Sequence, residues 1–212
     1  MKVQHRLKST NRNINIMLIL FLFILTGSWN KRNSEVRSES TFQIYLGQKN
    51  VGYLNIIHTR GSEKSRIQVH SEVEARFIFK YTALGRETYE YRNDTLMHSD
   101  VFRKVNNRIS LQQTLVKHPA GYRYSDQDSY RILPISVVRF NMTRLFVQEP
   151  FDEAQIFSDR FTQWVPIKRI GNHQYKVELP NGSDNIFTYK NGKCTSVVSR
   201  GSFYTVRLVP QT

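Results

Sequence analysis

Two pairs of acidic residues have a spacing that would suit a carbohydrate-hydrolysing site. Glu72 and Glu74 stand two apart in a strand-like segment, which places both on one face, and Asp126 and Asp128 stand two apart in a predicted loop. Paired carboxylates can act as acid and nucleophile in glycoside hydrolysis. A solvated strand face or turn explains the same spacing, and the chain has no Gly-x-Ser-x-Gly elbow. We therefore predict no catalytic residues and keep a hydrolase as an alternative.

The histidines and the cysteine do not form a metal-site pattern. No two histidines have the His-x-His or His-Glu-x-x-His spacing that places two ligands on one face. The six histidines are His5, His58, His70, His98, His118 and His173. Cys194 is the only cysteine, so the chain forms no internal disulfide, and we expect its thiol to be buried. We predict no metal and no cofactor.

Large apolar residues are concentrated between residues 140 and 164, with arginine and glutamate among them. The concave face of a curved sheet must be covered, either by such side chains or by a bound apolar ligand. We take six residues as candidates for binding a lipid, an acyl chain or another hydrophobic ligand on that face: Phe140, Met142, Phe146, Phe157, Phe161 and Trp164. The alternative is that these residues complete the core.

Strands must position these candidates, because the body of the chain alternates between apolar and polar residues with a period of two. The alternation begins at Thr41 and runs through 42–46, and a second strand is predicted at 51–59. In the clearest segment, 67–80, the apolar residues share one parity and the charged residues the other. One buried and one solvated face is typical of an antiparallel sheet.

Further strands are predicted wherever similar runs lie between turn-forming residues. They are 86–92, 96–105, 108–117, 161–170, 174–179, 186–189, 194–200 and 202–209. Asn181-Gly182 and Asn191-Gly192 are typical of tight hairpins, because the central residues of such turns adopt positive φ.

One segment, 135–146, departs from this alternation. Val138, Met142 and Leu145 have helical spacing behind a candidate N-cap at Ser136, which predicts one short helix. We therefore predict an all-β fold in which a long antiparallel meander forms one curved sheet or an incomplete barrel with one short helical crossing. A two-sheet β-sandwich is the alternative.

The first 28 residues have the order of a secretory signal peptide. Four basic residues precede an apolar run at 16–25, and small or polar residues follow up to Ser28. The apolar run is about half of the roughly 20 residues that a membrane-spanning helix needs. We predict a signal peptide at 1–28, a polar tether at 29–40 and a single β-rich domain at 41–212. An uncleaved N-terminal anchor is the alternative.

The chain is strongly basic, with 31 lysines and arginines against 17 acidic residues and a formal net charge of +14. Loss of residues 1–28 removes four of these basic residues and leaves a net charge of +10. In a periplasmic or secreted protein this surplus favours anionic envelope surfaces, such as lipid headgroups, over nucleic acid. The alternative is that the charge only confers solubility.

Three segments resemble a family of secreted or periplasmic Bacteroidetes proteins of unknown function. They are 42–54 (Phe-Gln-Ile-Tyr-Leu-Gly-Gln-Lys-Asn-Val-Gly-Tyr-Leu), 145–150 (Leu-Phe-Val-Gln-Glu-Pro) and 171–182 (Gly-Asn-His-Gln-Tyr-Lys-Val-Glu-Leu-Pro-Asn-Gly). The resemblance implies a signal peptide and an all-β fold, and no reaction. More distantly, the meander is similar to the half-barrels of periplasmic lipoprotein carriers and lipid-handling proteins, a likeness that does not determine function.

These observations favour an exported, non-enzymatic envelope protein that binds a lipid, an acyl ligand or a protein partner on the concave face of its sheet. Two alternatives come from other classes of protein. One is a hydrolase acting on envelope glycans, and the other is a structural or assembly component that pairs through its sheet edges. The ligand and the oligomeric state do not follow from the sequence.

Overall fold

The computed structural model describes residues 34–76, 80–202 and 204–211. The predicted signal peptide, residues 1–28, lies outside the described residues, and so do residues 29–33 of the predicted tether. A compact unit runs from Glu35 to Thr212. Within the part of the chain that is described, no helix is long and apolar enough to cross a membrane.

Fourteen strands account for most of the described residues. In chain order they are β1 (Val36–Leu46), β2 (Lys49–Arg60), β3 (Lys64–Arg76), β4 (Lys80–Arg92), β5 (Thr95–Val105), β6 (Arg108–His118), β7 (Gly121–Asp126), β8 (Tyr130–Leu133), β9 (Gln155–Ser158), β10 (Gln163–Gly171), β11 (Gln174–Glu178), β12 (Asp184–Lys190), β13 (Lys193–Arg200) and β14 (Thr205–Pro210).

All fourteen strands belong to one sheet in the order β8-β7-β6-β5-β4-β3-β2-β1-β14-β13-β12-β11-β10-β9. Every neighbouring pair is antiparallel. Buried side chains from nearly every strand meet in one continuous core, so the sheet curves around its own inner face and stays unclosed between the edge strands β8 and β9. The predicted all-β curved meander is confirmed, and the two-sheet sandwich does not form.

Several predicted strand limits are wrong, and β7, β8 and β9 were not predicted. β1 begins at Val36, so residues 36–40 of the predicted tether pair with 56–60 of β2; their polar side chains hide the alternation. The predicted strand 67–80 ends at Arg76, because Lys80 already belongs to β4 and pairs with Arg76. Residues 77–79 lie outside the described part, and no glycine or proline there signals a turn.

Asparagine determines several of the hairpin turns. Both central residues have positive φ at Asn93-Asp94, Asn106-Asn107 and the predicted Asn191-Gly192, which suits two-residue turns. The predicted tight hairpin at Asn181-Gly182 is longer than expected. Leu179 N–H donates to the carbonyl of Ser183, so three residues separate the closing pair, and Gly182 alone of them has positive φ.

The segment that crosses the inner face is not the predicted helix 135–146 capped by Ser136. We call residues 134–150 the crossing segment; its helical part is one 3-10 turn, Arg144–Phe146, with Thr143 at the N-cap. The backbone before this turn bonds to the sheet: Leu96 N–H donates to the carbonyl of Val138, and Phe157 N–H to that of Phe140. The amide of Arg144, which a helix would bond to the carbonyl of Phe140, donates instead to Asn141 Oδ1 at 2.9 Å.

The inner face has two halves. In the covered half, the crossing segment packs on large buried residues of the strands, including Tyr91, Leu96 and Tyr122. In the open half, at the opposite strand ends, a separate small cluster contains Ile44, Val51 and Ala75 with partly buried aliphatic neighbours. The covered half is a packed core, and the open half adjoins the candidate site.

Candidate ligand-binding cavity

Three of the six predicted ligand-binding residues lie in the covered half. Phe157 is fully buried and packs edge-on against Trp164, with ring centroids 5.8 Å apart. Phe140 is buried beneath the Arg144 guanidinium, 4.9 Å from its ring centroid. These three rings contact neighbouring side chains and line neither of the two cavities described below, which favours their interpretation as core residues.

The other three predicted residues, Met142, Phe146 and Phe161, come together. They line a cavity of about 300 Å³ between the crossing segment and the sheet, which we call the inner cavity. Phe146 is held edge-on between Phe42 and Phe187, with each pair of ring centroids 5.4 Å apart. Three of the predicted residues therefore line one wall of this cavity, and the residues of its other walls were not predicted.

A second cavity, of about 440 Å³, lies in the open half, and we call it the apolar cavity. Aliphatic and aromatic side chains at the ends of β1–β4 and of β14 form most of its walls, among them Val73 and Val206. It shares Ser199, Tyr204 and Leu208 with the inner cavity, so the two cavities adjoin. Together they form an apolar space that leads towards a polar wall.

Glu87 is the first member of this polar wall, and all its hydrogen bonds are to protein groups. Its Oε1 accepts from Arg103 Nε at 2.8 Å and Nη2 at 2.6 Å. Its Oε2 accepts from the Tyr89 hydroxyl at 2.7 Å and from Thr143 Oγ1 at 3.2 Å. The carboxylate side chain is 9% exposed, so this buried charge is balanced by one arginine and two hydroxyl groups.

Asp159 is the second member, and one of its oxygens lacks a partner. Asn141 Nδ2 donates to its Oδ2 at 3.2 Å, with the Tyr89 hydroxyl 3.4 Å from the same oxygen, and Gln113 Nε2 donates to its carbonyl at 2.9 Å. Oδ1 is buried and has no hydrogen-bond partner among the described residues. Burial, and then the nearby Glu87 carboxylate, raise the pKa of Asp159 to about 7.

Strand alternation explains how these groups meet. Glu87 and Tyr89 are two apart on β4 and both face inwards. Arg103 of β5 lies opposite Gly85, one inward position from Glu87. A Cβ at residue 85 would lie 2.5 Å from the hydroxyl oxygen of Ser71, so only a residue without a side chain fits beside the arginine unless Ser71 moves.

The crossing segment is held by Arg144. Its Nη1 donates to the carbonyls of Asp94, at 3.2 Å, and Arg139, at 2.8 Å, and its Nη2 pairs with the Asp94 carboxylate. The guanidinium also lies 4.7 Å from the ring centroid of Tyr91. Farther along, the Tyr189 hydroxyl donates to the carbonyl of Leu145 at 2.6 Å. These bonds position the Met142–Phe146 wall of the inner cavity.

The acidic pairs singled out in the sequence lie elsewhere. Glu72 and Glu74 are exposed and pair with His70 and Lys80, each at 3.0 Å. Asp126 accepts bonds from the Tyr124 hydroxyl and from the amides of its own turn, which lower its pKa to about 2. Neither pair lines the inner or the apolar cavity.

The cysteine is buried as expected, and burial raises the pKa of the Cys194 thiol to about 12. Among the described residues, no three His, Cys, Asp or Glu side chains lie close enough together to hold a metal ion. His173 instead shares the buried Glu149 with Tyr175, at 2.8 and 3.0 Å. These groups serve packing around the end of the crossing segment.

The polar wall formed by Glu87, Arg103 and Asp159 was missed by sequence reasoning. A signal was present for Glu87, which shares the parity of the buried Tyr89 and Tyr91 and is therefore a charge on an inward position. Asp159 follows a four-residue strand that was not predicted, and no local pattern connects it to β4.

Comparison with solved structures finds a similar fold. The crystal structure of a β-barrel-like protein of domain of unknown function DUF1849 from Brucella abortus matches with a TM-score of 0.53 and 9% sequence identity. The match covers 84% of this chain and 96% of that one, and at this identity it concerns the fold alone. No curated protein matches the sequence. The sequence profile of the domain of unknown function DUF6134 matches residues 42–211, and the chain belongs to this family.

Proposed function

We propose that the protein binds an amphiphilic small molecule, such as a lipid or another molecule with an acyl-like tail, on the inner face of its sheet. The observation that supports this most is a pair of adjoining cavities: the apolar cavity of about 440 Å³ in the open half, and the inner cavity of about 300 Å³ between the crossing segment and the sheet. Small-molecule sites have volumes of roughly 300–1,000 Å³ and combine apolar walls with a few polar groups. The apolar cavity would take the tail.

The covered half supports the proposal by contrast. There the crossing segment supplies the apolar groups that a ligand would otherwise provide, and residues such as Val138 and Leu145 are fully buried against the strands. In the open half no described segment takes that place over Val73 and Ala83, which line the apolar cavity. A ligand tail would complete the second half of the core.

We further propose that this binding occurs outside the cytoplasm. The signal-peptide pattern of residues 1–28 supports export, and the positive charge of the remaining chain suits an envelope rich in anionic lipid headgroups. Cell fractionation with N-terminal sequencing tests the location. A mature N-terminus near residue 29 in the periplasm or medium supports it, an intact N-terminus in the membrane supports the anchor, and a cytoplasmic protein contradicts both.

Binding is tested with protein expressed from the full-length sequence. Organic extraction and native mass spectrometry identify any lipid that copurifies, and N-phenyl-1-naphthylamine serves as an uncharged fluorescent probe. Ala83→Trp, which fills the apolar cavity, should abolish most of the probe binding. Leu84→Trp is the matched control, because the next residue of β4 points to the opposite face. Equal probe binding by both variants, or none by the wild type, contradicts the proposal.

A hydrolase is the second candidate, and the polar wall is the observation that favours it. The Tyr89 hydroxyl lies between the two carboxylates, 2.7 Å from Glu87 Oε2 and 3.4 Å from Asp159 Oδ2. The two carboxylate oxygens are therefore separated by at most the sum of these distances. Retaining glycosidases hold their carboxyl groups roughly 5–5.5 Å apart, with one pKa raised.

Incubation with purified envelope polysaccharides, followed by an assay for new reducing ends, tests this second candidate. Release that is lost in Asp159→Asn and in Glu87→Gln supports a hydrolase. Release that survives both substitutions excludes these carboxylates from the reaction, and the absence of release leaves ligand binding as the function.

A further inference from the structure

We propose that the ligand's head lies in the inner cavity against Asp159, and that this residue selects a head that donates a hydrogen bond and carries no negative charge. The inference rests on the proposed function, because it specifies the chemical class of the same ligand. Long-chain alcohols, acylglycerols and alkylamines belong to this class, whereas fatty-acid and phosphate heads do not.

The first reason is the unpartnered oxygen of Asp159. The residue is 3% exposed and lines the inner cavity, and its Oδ1 has no donor among the described residues. Buried carboxylate oxygens are almost always hydrogen-bonded, because leaving one unmatched is costly. A hydroxyl or ammonium group in the cavity would supply the donor, whereas a carboxylate or phosphate would place a second acceptor against the first.

The second reason is the charge of the polar wall. Arg103 is already committed to Glu87, which also accepts from Tyr89 and Thr143, so this ion pair offers little attraction to an anionic head. Ionised Asp159 adds a negative charge inside a cavity of low dielectric, where repulsion between like charges is strong. The inner cavity is therefore electrostatically unsuited to an anion.

Arg160 is the group that could reverse this preference. It borders the inner cavity, but it is exposed, and its guanidinium lies over the ring of Phe161 at 5.4 Å from the centroid. Its charge is therefore on the solvent side, where water and salt screen it. An anionic amphiphile held by Arg160 would keep its head outside, and this arrangement is a distinct outcome of the test.

The third reason is the connection between the two cavities. Ser199, Tyr204 and Leu208 line both, so one molecule can place its tail in the apolar cavity and its head at the polar wall. Two of these three residues, Ser199 and Tyr204, carry hydroxyl groups, so the lining that the cavities share includes polar residues. The head and the tail of the ligand would then be recognised in two different cavities of one site.

The test compares probes that have the same twelve-carbon tail and different heads. Dodecanol, dodecylamine and laurate are used at pH 8 to displace N-phenyl-1-naphthylamine from the wild-type protein. We expect the alcohol and the amine to displace the probe at concentrations at least about tenfold lower than laurate, the scale expected of one hydrogen bond to a buried charged group. In Asp159→Asn the amine should lose its advantage and laurate should improve. Asp100→Asn, an exposed substitution on β5, is the matched control and should keep the wild-type order.

The outcomes separate this inference from the proposed function. If the naphthylamine binds and all three heads displace it equally, head selection is wrong and apolar binding stands. If laurate displaces it best and Arg160→Gln removes that advantage, the head lies at the solvent side and the inference is wrong. If the naphthylamine does not bind, both fail. The wild-type order and Arg160→Gln decide the question even if Asp159→Asn does not fold, which circular dichroism checks.

Discussion

At one end of the inner face the crossing segment covers the strands, whereas at the other end the same strands border a cavity. β4 shows the difference within a single strand: Tyr89 and Tyr91 are buried in the covered half, while Tyr81 and Ala83 line the apolar cavity. The covered half is built from large residues tied to the crossing segment by hydroxyl groups. One continuous sheet can therefore contain a packed core in one half and border a cavity in the other.

A ligand would contribute stability to the open half of the inner face. Completing a core removes apolar surface from water, at roughly 25 cal/mol per Å². In the covered half the chain itself gains this stabilisation, and in the open half a ligand would. Substitutions in the two halves should accordingly differ in their effect on the free energy of unfolding.

The largest expected effect is that of Arg144→Ala. The substitution removes a buried guanidinium that joins Asp94, Arg139 and Gln148, three exposed residues whose acceptor groups can turn to water. We expect a loss of about 3 kcal/mol in the free energy of unfolding, measured by urea denaturation, because four hydrogen bonds of about 0.5–1.5 kcal/mol each are lost together with the cation–π contacts to Tyr91 and Phe140.

The control for this substitution is Arg66→Ala, since Arg66 forms an exposed pair with Glu90 at 3.7 Å. Exposed pairs contribute about 0–1 kcal/mol, so the control should be almost neutral. If Arg144→Ala also lost less than about 1 kcal/mol, the crossing segment would not depend on its arginine.

The second prediction compares leucines of the two halves. Leu145 is fully buried under the sheet, whereas Leu46 is partly buried beside the apolar cavity. We expect Leu145→Ala to lose about 3 kcal/mol and Leu46→Ala about 1 kcal/mol in urea denaturation without added ligand. A saturating apolar ligand should increase the loss in the free energy of unfolding for Leu46→Ala and leave the loss for Leu145→Ala unchanged. Equal losses at both positions would mean that the halves are packed alike.

The third prediction concerns pH and Asp159. Burial and the nearby Glu87 raise its folded-state pKa to about 7, from an ordinary value of 3.8. Between these values the folded protein binds the proton more tightly than the unfolded chain, so the free energy of unfolding should fall as pH rises from 4 to 7 and level off above 7. At 1.36 kcal/mol per pH unit the full effect is about 4 kcal/mol, and roughly 2 to 3 kcal/mol of it falls between pH 5 and pH 7.

Asp159→Asn should remove this pH dependence and raise the stability at pH 8, relative to the wild type, by about 2 kcal/mol. Urea denaturation at pH 5 and pH 8 measures both effects. Asp100→Asn, on the exposed side of β5, should keep the wild-type slope. Identical slopes for the wild type and Asp159→Asn would show that Asp159 is already ionised at pH 5 in the folded protein.

Most of the strands, although not β7, β8 and β9, were predictable because their information is local. Alternation in β3 places Ile67 and Val69 inwards and Gln68 outwards, and the positive φ that Asn191-Gly192 requires is a property of those two residues. The crossing segment was not predictable in the same way. Its backbone bonds to Leu96 and Phe157, and the apparent helical spacing of Val138 and Met142 reflects packing against one core from a backbone that is not helical there.

The candidate site was predictable only in part, for the same reason. The apolar residues Met142, Phe146 and Phe161 stand close together in sequence, and composition alone points to them. Glu87 and Asp159 are 72 residues apart and meet only because the sheet curves. The signal of such a long-range contact in the sequence is a charged residue at a strand position whose alternation predicts burial, as at Glu87.

The smallest expected effect separates two tyrosines, one from each half. In the covered half the buried hydroxyl of Tyr189 donates to the carbonyl of Leu145 at 2.6 Å, so Tyr189→Phe leaves a buried carbonyl without that donor. We expect a loss of about 1.5 kcal/mol in the free energy of unfolding. In the open half Tyr81 is 37% exposed, its hydroxyl can reach water, and Tyr81→Phe should change stability by less than about 0.5 kcal/mol. In the naphthylamine assay the order should be reversed: Tyr81→Phe should change the affinity for the probe more than Tyr189→Phe, because Tyr81 lines the apolar cavity and Tyr189 does not. A stability loss at Tyr81 as large as that at Tyr189 would mean that the open half is held together by its own polar contacts and not by what it binds.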